Sequence, residues 1–163
     1  MRIIILAIAT LFFISCNDTG NANQVLTQYK IDSLQKEVNN IRPGLGELML
    51  SIQIHHAKLW FAGKKRNWEL ANFETDEIKE QVEKAMLIET DRPEIKSLPV
   101  INAPLDSVSD AILKKDTVRF ISAYHLLTNA CNNCHKAVNF DFNEIKIPDT
   151  VPFSNQVFEN RNK

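Results

Sequence analysis

The sequence predicts an all-α domain folded as an antiparallel four-helix bundle, and three observations carry that expectation. Long segments place apolar residues at three- and four-residue intervals, the period of a helix packed along one side. Between them, "RPGLG" and "DRPEIKSLPVINAP" cluster glycine and proline where helices must end. Nothing in the chain reads as a strand, and no internal repeat is visible. With 163 residues, 44% hydrophobic and 24% charged, the chain can bury one sizeable core and lacks the composition of a disordered protein.

The N-terminal stretch "MRIIILAIATLFFISC" has a positive Arg2, an apolar run from Ile3 to Ile14, then Ser15 and Cys16. That run is too short for a comfortable membrane span and fits the apolar region of a secretory signal. "FISC" resembles the lipobox of bacterial lipoproteins, with Phe13 where leucine is usual. The resemblance implies cleavage before Cys16, a lipid on that cysteine, and an exported protein anchored to a bacterial membrane on its periplasmic or cell-surface side. The expected organisation is a signal over residues 1–15, a tether and short leading helix over 16–40, and a helical domain with an irregular C-terminal tail over 41–163.

Within the tether, "NDTGNANQ" is polar and unpatterned. Leu26, Tyr29, Leu34, Val38 and Ile41 then fall at roughly helical spacing. From Leu45 to about Gly63, the residues Leu48, Met49, Ile52, His56, Leu59 and Trp60 share one broad face of a buried helix, closed by "GKKRN". Asn67 is the expected N-cap of the next helix, with Ala71, Ile78, Val82 and Ala85 inside and Glu74, Glu77, Glu80 and Glu83 on its wet side. A long irregular connection follows, then a short helix near Ser107 to Lys115. Asp116 or Thr117 caps a last long helix, on which Phe120, Tyr124, Leu127, Cys131 and Cys134 line up. The tail is expected to run back over the domain, burying Phe140, Phe142, Phe153 and Phe158.

Nineteen basic residues stand against twenty acidic ones, a net charge of −1, which argues against nucleic acid as a partner. Of the three cysteines, lipid attachment would consume Cys16 and leave Cys131 and Cys134 in a compartment where free thiols tend to oxidise. They belong to "CNNCH", the five-residue pattern of c-type haem attachment. Two cysteines three apart on a helix can each form a thioether to one haem vinyl group, and the next residue, His135, can turn its imidazole to the iron. Haem c is attached outside the cytoplasm, so motif and export signal agree. A zinc site would need two further ligands from His55, His56, His125 or His135. A redox-active dithiol expects a βαβ setting, and a structural disulfide is the third alternative.

A helical domain with this motif near the end of its last long helix resembles the cytochrome c′ class, the four-helix cytochromes c. The segments "HAKLWFAGK", "NWELA" and "LTNACNNCH" are similar to exported bacterial single-haem proteins of that type. The resemblance implies one covalent haem c held by Cys131 and Cys134, His135 as proximal iron ligand, and electron transfer to an unspecified redox partner. In that class the first bundle helix faces the distal side of the haem, where Met49, Gln53 and His56 share a face. Met49 is the expected distal ligand and His56 the alternative. A homodimer through the first two bundle helices is also implied.

Two other activities belong to the same frame. With no protein ligand opposite His135, the iron would bind or sense a small gas; with His56 as distal acid and base, the protein would be a haem peroxidase. No Ser/His/Asp grouping, Gly-rich phosphate loop or dense acidic pair suggests other catalysis, so an electron carrier is expected rather than an enzyme. Lys58, Lys64, Lys65 and Arg66 read as a solvated basic turn, with docking of an acidic partner or contact with haem propionates as the alternatives.

Overall fold

A computed structural model describes residues 18–160; the expected signal segment and the expected lipidation site Cys16 lie outside the described residues. Every regular element among the described residues is helical. The elements are α1 (Asp18–Ile41), α2 (Leu45–Lys64), α3 (Trp68–Ile88), a 3-10 segment (Pro93–Ile101), α4 (Asn102–Leu113) and α5 (Thr117–Ala137). The chain divides into two compact units at Arg42 and Pro43. No described helix is long and apolar enough to cross a membrane.

The first unit contributes α1, which begins at Asp18 within the polar stretch expected to be irregular. Its apolar side chains, from Val25 to Ile41, are exposed.

In the second unit, α2 packs chiefly on α3 and α4 on α5, with α5 also touching α2 and the 3-10 segment. Local chemistry accounts for the ends. The Asn67 side chain accepts from Leu70 N at the start of α3, and the Asp116 carboxylate accepts from Val118 N and Arg119 N at the start of α5. Three helices end on a left-handed residue: Arg66 after α2, Lys115 after α4 and Asn139 after α5. In each, the following N–H reaches back five residues: Asn67 to Ala62, Asp116 to Ala111 and Phe140 to His135. The stretch expected to be irregular instead winds as a 3-10 helix from Pro93, a residue suited to a first turn, and runs directly into α4.

The core centres on Phe120 and Tyr124 of α5, both fully buried, with Trp60 of α2 4.9 Å from Tyr124 and Trp68 of α3 edge-on to Phe120. Leu48, Ile52 and Leu59 of α2, Ile78 and Val82 of α3, and Leu105 and Val108 of α4 complete it. Gly63 makes the Phe120 contact possible, because a Cβ there would sit 2.2 Å from the ring.

Two further expectations change. Glu74 is fully buried rather than wet: its Oε2 accepts from His55 Nδ1 at 2.7 Å and its Oε1 pairs with Lys58 Nζ at 2.8 Å. A carboxylate enters a core only where partners follow it, and α2 supplies a hydrogen-bond donor in His55 and a cation in Lys58. Of the tail phenylalanines only Phe158 is buried, against Phe61 at 5.8 Å; Phe142 is 80% exposed and pairs with Phe140 at the surface.

Gly63→Ala is expected to lower stability by about 1–3 kcal/mol through overpacking against Phe120. Thermal unfolding of the variant reads this directly, and an unchanged midpoint would show that Phe120 moves aside freely.

Candidate functional site

One cavity of about 280 Å³ brings together residues far apart in the chain. The N-terminal half of α2 gives one wall with Leu45, Met49, Ile52, Gln53 and His56. The last two turns of α5 give the facing wall with Ala130, Cys131, Cys134 and His135. Ile95, Leu98 and Ile101 of the 3-10 segment close a third side, and Val138, Phe140, Asn143 and Ile145 a fourth. The lining is largely apolar, as small-molecule sites are, and the volume lies near the lower end of their range.

The left-handed turn at Asn139 sends the chain back along α5, and Asn132 holds it there. Its side chain donates to Ile145 O and accepts from Ile145 N, both at 2.8 Å. These two hydrogen bonds set the Asn143 carbonyl 2.5 Å from His135 Nδ1. A carbonyl can only accept, so Nδ1 carries the proton. In the neutral ring Nε2 then keeps its lone pair, and no described residue bonds to it. A histidine that ligates a metal is commonly oriented in this way, by a carbonyl that accepts from its other ring nitrogen.

Cys131 and Cys134 are separate thiols. Burial pushes Cys131 up to about 12, with the charge of Cys134 adding to the effect. Burial and then the Glu94 carboxylate raise Cys134 as well. Both are the reverse of the depressed thiol that dithiol exchange uses. No group of three or more His, Cys, Asp and Glu side chains among the described residues is placed to hold a metal ion. Of the histidines considered for zinc, His55 is committed to Glu74, while exposed His125 lies edge-on to Trp60.

His56 lines the cavity, but its ring is occupied. Nδ1 is 2.9 Å from the Tyr124 hydroxyl and Nε2 is 3.0 Å from that of Thr128. Those hydroxyls also lie within bonding distance of the His56 and Tyr124 carbonyls. A neutral imidazole has one N–H, so one hydroxyl must turn its proton to the ring. Burial holds the ring neutral, its pKa lowered to about 4. Met49, half-buried on the same wall, has no such partner.

Sequence reasoning did not find Asn132, the Asn143 carbonyl, Arg92 or Glu94. Arg92 is the one Arg or Lys side chain in the cavity lining, and its Nη2 lies 3.0 Å from Glu94 Oε1. Glu94 Oε2 is buried at the cavity wall without a hydrogen-bond partner. Lys58, Lys64, Lys65 and Arg66 do not line the cavity. No family model, curated protein or solved structure matches the chain.

Two outcomes are expected. Asn132→Ala removes both clamp bonds, costing about 1–3 kcal/mol locally, and should speed amide exchange over residues 139–147 while α2 and α3 keep their protection. For His56, the unfolded chain binds a proton below about 6.5 that the native state refuses down to about 4. Its contribution is complete above pH 6.5 and falls by about 3 kcal/mol as pH drops to 4. Denaturant midpoints should decline over that window, and less steeply for His56→Gln.

Proposed function

We propose that the protein is an exported, lipid-anchored single-haem cytochrome c that carries electrons, with α2, α3, α4 and α5 forming an antiparallel four-helix bundle of cytochrome c′ type. The observation that carries this reading is the meeting in one apolar cavity of both motif cysteines and a His135 whose free nitrogen is Nε2, with Met49 on the opposite wall. The donor set fits haem c: two thiols at the spacing of two vinyl groups, an imidazole, and a thioether across from it.

In this reading Cys131 and Cys134 would hold the haem covalently, and His135 and Met49 would be its iron ligands. The bound haem would supply an iron that cycles between ferric and ferrous states. The chain's part is to hold that centre still and dry. The Asn143 carbonyl keeps the His135 ring in one orientation, and Leu45, Ile52, Ile95 and Leu98 exclude water around it. Arg92, shared with Glu94, would be the basic group for a haem propionate, since it lines the cavity and the Lys58 to Arg66 cluster does not. Met49 is preferred over His56 because His56 could bind iron only by giving up a buried hydrogen bond, which costs about 1–3 kcal/mol. The same engagement weighs against His56 as a peroxidase acid and base.

Haem staining of a denaturing gel should show covalent haem in the native chain and none in the Cys131→Ala/Cys134→Ala variant; staining that survives both substitutions refutes attachment. Reduced and oxidised absorption spectra should be low-spin, turning high-spin and carbon monoxide-reactive in Met49→Ala. A native chain already high-spin and reactive would overturn electron transfer through Met49-ligated iron and establish the gas-binding alternative.

A further inference from the structure

The basic turn after α2 has no task in the proposed function, and in the structure it is half of a larger feature. Gly63 near the end of α2 and Trp68 at the start of α3 both pack on Phe120 of α5, so the α2–α3 turn and the α4–α5 turn share one end of the second unit. Lys64, Lys65 and Arg66 on the first turn are thereby joined by Lys114, Lys115 and Arg119 on the second, all six exposed. Glu69, Asp110, Asp116 and Glu159 oppose them there, in a chain whose overall charge is −1.

Surface pairs hold part of this charge: Lys65 with Glu159 at 3.1 Å, Lys114 with Asp110 at 2.7 Å and Arg119 with Asp116 at 3.4 Å. Such exposed pairs are weak and leave the cations able to change partners. Arg66 and Lys115, the left-handed residues after α2 and α4, form no ion pair among the described residues, and Lys64 lies over the Trp60 ring at 5.2 Å. Two apolar side chains protrude beside these cations. Leu113 is 78% exposed and Val118 79%. Half-buried Trp60 and Trp68, both in ring contact with Phe120, stand at the same end. Cations beside protruding aliphatic tips, backed by indoles, match a bilayer surface, where phosphate meets the cations and the acyl boundary takes the tips.

We propose that this end of the second unit docks on an anionic lipid bilayer, with Leu113 and Val118 entering it and the basic residues of the two turns holding headgroup phosphates. An acidic redox protein fits the same charges less well. The cavity is built from the first half of α2 and the last two turns of α5, at the opposite end, and α2, with 20 residues, is about 30 Å long. A redox partner on the basic turns would stand most of that length from the cavity, whereas a bilayer there leaves the cavity turned to solution. That choice of partner rests on the proposed electron transfer, and the proposed lipid anchor would hold so weak a contact at the surface. The charges and the tips rest on neither.

Lipid quenching on the full chain tests it, with vesicles of phosphatidylcholine alone or mixed with phosphatidylglycerol, both carrying a lipid-borne quencher. A polarity-sensitive dye on Leu113→Cys or Val118→Cys should be quenched and blue-shifted when phosphatidylglycerol is present. The dye on Phe142→Cys, beside cavity-lining Phe140, should stay bright. The unsubstituted chain, labelled in parallel, sets the signal of its own cysteines. Lys64→Gln/Arg66→Gln/Lys115→Gln should lose the quenching with its circular dichroism unchanged. Chain that pellets with both vesicle types while neither tip is quenched overturns the docking and leaves the anchor standing. Equal quenching without phosphatidylglycerol, or quenching at Phe142→Cys in place of the tips, overturns it too. Tips that polyglutamate shields and lipid never reaches give the face to an acidic protein instead. Pelleting only with phosphatidylglycerol, with both tips quenched, supports the docking and refutes the anchor. Haem staining of the same samples reads the haem proposal separately.

Discussion

The Tyr124 hydroxyl is buried among aromatic rings and must find its partners inside the protein, which it does on His56. One bond to the His56 carbonyl and one contact with its ring lock α5 to α2, and Thr128 repeats the lock one turn further on. Leaving such a group unsatisfied costs about 1–3 kcal/mol, so sliding one helix past the other is heavily penalised. From this fixed point the cavity follows. Met49 lies two turns back along α2 and Cys131 two turns forward along α5, so the lock holds thioether and thiols on facing walls of one space. Its floor is polar yet fully bonded, which lets the lining above it stay apolar.

Much of the helical plan was legible because it rests on local rules. The 3.6-residue period marks α2, α3 and α5, and Asn67 and Asp116 announce their helices. What was not legible depends on partners brought from elsewhere. A helical wheel assigns Glu74 to water because a carboxylate alone belongs there, and only the arrival of His55 and Lys58 from α2 reverses that. The alternating phenylalanines of the tail suggested burial, yet Phe140 and Phe142 pair with each other at the surface. The Asn143 carbonyl could not be read from any pattern, since it is a backbone atom placed by a turn at Asn139 and a clamp at Asn132.

The two halves of the proposed activity draw on different parts of this geometry. Attachment asks for thiols and imidazole on one helix face, which α5 provides by periodicity alone. Electron transfer asks for a surrounding that does not rearrange when charge changes, and that comes from elements the motif does not specify. These are the Asn132 clamp, the 3-10 wall and the paired helices α2 and α3, whose buried Glu74 resists any change in their register.

The tail segment beside the cavity is fastened separately from the core. It follows α5 in the chain, hinges at Asn139, and is fastened near the motif by the Asn132 pair and the His135 bond, together worth only a few kcal/mol. The aromatic core lies elsewhere and needs none of these bonds. The packing of the helices therefore does not rest on the bonds that orient the motif. Loosening this segment would free the His135 ring while leaving the aromatic core packed.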